Sequence, residues 1–298
     1  RRLPTEAEWE VAAHDAPDQA GAQITRGAFS WSSALGTATS VSFAFRSDAP
    51  TYDNGDAGGY GQFNSAQIQA ALLAFQGWSD DVNIAFTRVG SGTSGPGAYS
   101  DNATILLGDY TTGVAGAHAF TYLPGPGGLV AGDRSAGAAD GDLFVNTTFS
   151  YNAAPTLHNR GAIILAHEIG HAIGLEHPGD YDGGAGSDPN VTYDNSAEFR
   201  EDTAQYTVMS YFAETNTGAD YHGLYACAPQ LDDITAAQRL YGANMTTRTG
   251  ATTYGFHSTA DRPWFSATSA STPLIFCAWD AGGVDTFDFS PFLANQVI

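Results

Sequence analysis

The chain contains no lysine. Its 11 basic residues are all arginine, and they stand against 32 acidic ones, for a formal net charge of −21 over 298 residues. No basic run is present that could track a phosphate backbone, so nucleic-acid binding is excluded as an expected function. The same charge disfavours anionic membrane surfaces. No apolar run reaches the roughly 18 residues a spanning helix needs, so no transmembrane segment is expected. Cysteine is nearly absent: Cys227 and Cys277 are too few for a disulfide framework or a cysteine-based zinc knuckle. They either close a loop of about 50 residues, worth ~4 kcal/mol in the chain-entropy model, or remain two buried thiols. The first residues, Arg1–Glu6, lack the apolar core of a secretory signal. A signal has therefore been removed, or export uses another one.

What is present is a chain long enough for one large domain or two smaller ones with a sizeable core. Its acid excess suits calcium binding or solubility in a salty medium. With the 35 glycines and the missing lysine, it also fits adaptation to cold or salt.

Residues 1–37 read as a short acidic amphipathic helix around Glu6–Ala13 followed by an irregular arm. Val41–Phe45 alternates with period two and predicts a half-buried strand. After a loop rich in Gly, Asp and Pro at Ser47–Gly61, Asn64 or Ser65 caps a helix running to Trp78. Ile68, Ala71, Leu72 and Phe75 form its apolar face. Asn83–Val89, Ala103–Leu107 and Asp142–Asn146 read as strands. Ala117–Leu123, closed by Pro124-Gly125-Pro126-Gly127-Gly128, reads as an edge strand. Pro178–Ala204 predicts a long solvated loop, and Gln205–Phe212 is apolar and tight. A last helix spans Asp232–Tyr241, with Asp232 as its cap and Gly242 as its stop. Beyond Ala243 the texture changes to short β-prone pieces at Thr252–Phe256, Leu274–Trp279 and Thr286–Phe289. We therefore expect one unit over 1–243 and a second over 244–298, which stops inside a strand-like stretch and reads as incomplete.

The chemistry is concentrated in residues 166–177. His167 and His171 are four apart, so a helix presents them on one face. Two imidazoles so placed can reach one zinc ion, with Glu168 beside the metal and not on it. Gly174 supplies the positive φ that ends a helix and turns the chain back, returning His177 as a third nitrogen ligand. Three neutral imidazoles leave a fourth position for water, the arrangement of a catalytic zinc site. The full H-E-x-x-H-x-x-G-x-x-H pattern fixes five positions. A plain core helix would bury these polar groups unpaired, at a cost.

With HEIGHAIGLEHPGDY at His167–Tyr181 and VMSY at Val208–Tyr211, the sequence resembles the metzincin metalloproteases. Within them it resembles the serralysins, secreted bacterial proteases carrying an RTX-type β-roll. Glu214–Gly218, Leu231–Ile234, Leu240–Asn244 and Trp279–Gly283 add to the resemblance, which is dense in the C-terminal half and looser before it. The resemblance implies an α+β metzincin catalytic domain: a mixed twisted sheet with an antiparallel edge strand and a long zinc-binding helix. The start of an all-β, calcium-binding β-roll would follow. It implies zinc on His167, His171 and His177, and Met209 as the Met-turn floor beneath them. Tyr211 would bind zinc at rest and swing away to stabilise the reacting centre. Ala119, Phe120, Thr121 and Tyr122 would pair with an extended substrate. A structural calcium site is implied at Arg248, Gly250, Thr252, Asp280, Gly282, Gly283 and Asp285. Two departures stand out: Ala251 and Val284 replace polar residues at that site, and no G-G-x-G-x-D repeat is present. The β-roll proper is accordingly expected to be missing, and the two cysteines depart from a cysteine-poor family.

The function implied is that of a secreted, extracellular, monomeric zinc endopeptidase. Its partners would be polypeptide substrates and a proteinaceous protease inhibitor. Glu168 would act as the general base for the attacking water and Tyr211 as a stabiliser of the transition state. Two other classes compete. One is a catalytically silent metal-dependent adhesion module, which would have no use for Glu168. The other is a metal hydrolase of small esters or amides, which would have no use for a substrate-pairing strand. The remaining histidines, His14, His118, His158, His222 and His257, lack ligand spacing, and only His118, beside the edge strand, is a candidate for lining the cleft.

Overall fold

The computed structural model describes residues 19–52, 55–113, 116–125, 139–181 and 191–293. The acidic piece at 6–13, His14, residues 126–128 and residues 182–190 of the long loop lie outside the described residues.

Five strands form the main sheet: β1 (Thr39–Phe45), β2 (Ile84–Arg88), β3 (Ile105–Tyr110), β4 (Ala119–Thr121) and β5 (Leu143–Asn146), in the order β2-β1-β3-β5-β4. The first four in that order run parallel, and β4 alone runs antiparallel, on β5. The strands lie close to where the sequence puts them. β3 and β5 are buried throughout, as parallel strands covered on both faces must be.

Two helices pack on the sheet. Helix α1 (Ser65–Asp81) begins at Asn64, whose side chain accepts the N–H groups of Ala66 and Gln67 while Gln67 Oε1 accepts the Asn64 N–H. Helix α2 (Arg160–Ala172) begins at Asn159, whose side chain accepts the Ala162 N–H. Phe75 on α1 stacks on Phe43 of β1 at 4.0 Å between ring centroids. Trp78 Nε1 donates to the Ala166 carbonyl at 3.1 Å, so α1 is bonded directly to the helix that carries the motif. The core therefore lies between sheet and helices and holds α2 against α1.

Helix α3 (Leu231–Tyr241) starts one residue earlier than expected, and its cap is Gln230, not Asp232. Asp232 lies in the first turn, fully buried, while the carboxylate of Asp233 reaches back to the Gln230 N–H at 2.8 Å. Gly242 ends the helix at φ +78°, as expected.

A second, three-stranded parallel sheet has the order β7-β6-β8, with β6 at Thr253–Phe256, β7 at Ser266–Ala267 and β8 at Thr286–Asp288. Leu274–Trp279, expected as a β piece, forms no strand. Both edges of β6 are already taken, and the Trp279 carbonyl accepts the Arg248 guanidinium at 2.7 and 2.9 Å. The two-residue strand β7 is too short to leave a periodic signal. Packing is continuous between the sheets: Tyr254, Trp264 and Phe265 share a buried cluster with Ala162, Cys227 and Ala228. Arg248 and Arg262 both pair with Asp80 at the end of α1, at 3.2 and 2.8 Å. Both cysteines are free thiols. No helix among the described residues is long and apolar enough to cross a membrane.

Candidate metal centre

His167 and His171 lie on one face of α2, and the chain reverses at Gly174, with φ +103°. A Cβ at Gly174 would also stand 2.1 Å from the Phe29 carbonyl oxygen, so this turn accepts glycine alone. The reversal brings His177 back to the helix. Its Nε2 lies 3.1 Å from that of His171 and 3.3 Å from that of His167.

The other ring nitrogens decide what these contacts mean. Nδ1 of His167, His171 and His177 lies 2.7, 2.7 and 2.9 Å from the carbonyls of Val208, Leu175 and Tyr181. A carbonyl only accepts, so each Nδ1 carries the proton and each Nε2 is a bare lone pair. Three lone pairs aimed at one point repel one another unless a cation lies between them. A tetrahedral zinc with Zn–N of about 2.0–2.1 Å sets its ligands about 3.4 Å apart, close to the separations seen. Burial first, and the neighbouring ring second, push all three imidazoles down to about 3, so they stay neutral. The residues present fit a zinc ion. They are the only group of three or more His, Cys, Asp or Glu side chains among the described residues so placed.

Met209 is fully buried and packs against Gly170 of α2, where a Cβ would come 2.6 Å from the Met209 sulfur. The turn carrying Met209 is pinned by Asp233, which accepts from Thr207 Oγ1 at 2.5 Å and from the Val208 N–H at 2.8 Å. Burial pushes Asp233 up to about 7 against the pull of these donors. Asp202 does the same for the far wall, accepting from Tyr181 Oη at 2.7 Å and Ser210 Oγ at 2.6 Å. The two carbonyls that orient His167 and His177 thus belong to segments held by buried aspartates. Sequence reasoning missed both, although Asp233 falls in the quoted LDDI stretch.

The Tyr211 ring lies over the site, 4.4 Å from the His177 ring and 6.1 Å from that of His167, and is about half exposed. Glu168 is buried beside the histidines, and Thr121 Oγ1 donates to its Oε2 at 2.5 Å. Thr121 belongs to β4, the edge of the sheet. Asn146 N–H donates to the His118 carbonyl and Tyr122 N–H to the Asp142 carbonyl. By antiparallel alternation, Ala119 and Thr121 turn their main-chain groups away from β5, to the side that carries no strand among the described residues. Phe120 and Tyr122 pack their rings at 5.6 Å on the opposite face from α2. His118 is held by Tyr151 Oη on Nδ1 and by Arg160 at 3.4 Å on Nε2, at the start of the same edge.

The second expected cation site is assembled in part. Asp285 accepts the Thr252 N–H at 2.8 Å, Asp280 accepts the Gly282 N–H at 3.0 Å and Tyr254 Oη at 2.7 Å, and Thr252 Oγ1 donates to the Gly250 carbonyl at 3.1 Å. Gly283 approaches Gly250 so closely that a Cβ would stand 2.5 Å from its oxygen. Arg248 turns its guanidinium to Asp80, Asp261 and Trp279, which leaves only its main-chain oxygen for a cation.

Residues 243–298 match the family model described as Peptidase M10 serralysin C terminal. The chain is 45% identical over 285 residues to Serralysin C and to Serralysin A of Dickeya chrysanthemi, in each case covering 94% of this chain and 55% of the relative. It is 41% identical over 290 residues to Metallopeptidase AprA of Pseudomonas marginalis, covering 94% of this chain and 56% of that protein. The chain spans about half the length of the curated relatives it matches.

Proposed function

We propose that the chain is of serralysin type along the length it covers and is the catalytic part of a secreted zinc-dependent endopeptidase. In this reading residues 1–243 form the protease unit and 244–298 open a calcium-binding β-roll. The observation that carries it is the convergence of three Nε2 lone pairs with a buried carboxylate, beside the strand that ends the sheet among the described residues. His167, His171 and His177 would hold the metal. Zinc, when bound, supplies a Lewis acid that polarises the scissile carbonyl and acidifies water.

The chain's own residues do the rest. The outward main chain of Ala119 and Thr121 receives an extended polypeptide by strand addition, which brings its carbonyl over the histidines. Glu168 accepts the proton of the attacking water and returns it to the leaving amine. The Tyr211 hydroxyl donates to the oxygen on which negative charge develops. Met209 keeps the floor dry and fixes the ring planes. Gly250, Thr252, Asp280, Gly282, Gly283, Asp285 and the Arg248 carbonyl would hold calcium, a hard cation suited to oxygen donors. The partners of this reading are polypeptide substrates and a proteinaceous inhibitor entering the same cleft, with the protease acting as a monomer outside the cell.

Casein hydrolysis before and after a zinc-preferring chelator, with zinc then restored, tests it. Loss and recovery of cleavage are expected. No cleavage by metal-replete protein would favour a silent metal module, and cleavage indifferent to the chelator would overturn the metal reading.

A further inference from the structure

Thr121 meets the site twice. Its Oγ1 lies 2.5 Å from Glu168 Oε2 and 3.2 Å from the Glu168 carbonyl oxygen. A hydroxyl has one proton, and the shorter, charge-assisted contact claims it. Side chains alternate along a strand, so Ala119 and Thr121 face α2 while Phe120 faces away, onto Tyr110 and Phe144 at 5.3 and 5.2 Å. A β-branched side chain on a strand is stiff about χ1, so the direction of the hydroxyl is set by the backbone. The main-chain N–H and carbonyl of the same residue point away from β5.

On the endopeptidase reading above, we propose that Thr121 is a positioning residue that anchors the Glu168 carboxylate through Oε2 and so sets its orientation for taking the proton of the attacking water. The hydroxyl also makes β4 a mechanical link: the residue that accepts the substrate backbone is the one that orients the base. A long glutamate side chain has free rotation to lose, and fixing it in advance removes that loss from the reacting complex. Thr121→Val keeps the shape and β-branch but removes the donor. Thr121→Ser keeps the donor and removes the methyl.

The test compares both variants with the parent on a casein-derived peptide, with zinc stoichiometry and thermal midpoint measured alongside. Thr121→Val is expected to lower kcat by about tenfold, the lower end of effects seen for groups that orient a metal site's residues. KM, bound zinc and thermal midpoint are expected to hold. Thr121→Ser is expected to return most of the lost kcat. A crystal structure of zinc-free Thr121→Val should show the Glu168 carboxylate turned from its parent rotamer, a result that does not depend on turnover. Unchanged kcat in Thr121→Val, a loss confined to KM, or an unmoved carboxylate would overturn the proposal. So would a serine variant as slow as the valine one. A parent that fails to cleave with zinc restored would instead sink the endopeptidase reading, while the rotamer result would still decide the role of Thr121.

Discussion

The two proposed cation sites are built on opposite plans. At the histidine site every orienting bond comes from a main-chain carbonyl, and the three Nε2 atoms converge on one point. At Gly250–Asp285 the carboxylates already have internal donors: the Thr252 and Gly282 N–H groups and the Tyr254 hydroxyl. The nitrogen site points three bare lone pairs at one place, whereas the oxygen site's carboxylates are held by donors of its own chain. Metal removal should therefore disable the first without unfolding it and loosen the second without abolishing it.

The sharpest way to break this contrast is Glu168→Ala. Glu168, the proposed base, lies on α2 and is not one of the three converging side chains, so zinc should stay bound at full stoichiometry. Turnover should fall by about a thousandfold, within the range for loss of a general base. Steady-state hydrolysis with metal analysis of the same sample checks it, and retained turnover would remove Glu168 from the mechanism.

Acid provides the next test. The folded imidazoles titrate at about 3, pushed down by burial, while unfolded histidine titrates near 6.5. A depressed folded value means stability that is intact above about 6.5 and lost as pH falls toward 3. Buried Asp232, pushed up to about 8, and Asp233, pushed up to about 7, pull the other way. Their contribution is present below about 4 and lost as pH rises through 7 to 8. Because burial holds the three imidazoles neutral well below the usual histidine range, zinc release on acidification should coincide with loss of far-UV circular dichroism. Release from a still-folded protein would mean the imidazoles are less shielded than their burial indicates.

Tyr211→Phe should have a smaller effect than loss of the base. Its ring lies at van der Waals range from His177 but is half open to solvent. Removing the hydroxyl should cost about a hundredfold in kcat, as for loss of one oxyanion donor, with zinc retained. Loss of zinc in this variant would make the tyrosine a structural ligand.

How much of this the sequence disclosed follows from distance along the chain. His167, Glu168, His171, Gly174 and His177 are all fixed by one helix turn and one reversal, so the spacing alone specifies the site. The β4 edge was legible from its proline- and glycine-rich end. Asp233, Asp202 and Tyr181 were not: their bonds span 8 to 26 residues with no local period. The Thr121–Glu168 bond spans 47 residues, and nothing about a threonine in a strand announces its partner. Asp232 misled because it belongs to the residue class of a cap and stands where a cap is expected. Leu274–Trp279 misled because strand propensity cannot reveal that both edges of β6 are occupied.

The smallest expected effect belongs to the oxygen site and tests the contrast from its other side. Millimolar calcium should raise the thermal midpoint of the parent chain, since a ligand that binds only the folded state stabilises it, by about 2.7 kcal/mol at a hundredfold excess over Kd. For a chain of this size each kcal/mol moves the midpoint by roughly 2–4 °C. Asp285→Ala should abolish that increment. Without calcium it should cost only about 1 kcal/mol, because it strands a single donor, the Thr252 N–H. Casein hydrolysis at moderate temperature should be unaffected, since Asp285 touches none of the three histidines or Glu168. An equal calcium shift in parent and variant would remove this cation site. A loss of hydrolysis in step with the calcium shift would show instead that the two sites are coupled, and the most direct route for it is Arg248 and Arg262 on Asp80 at the end of α1, whose Trp78 holds the histidine helix.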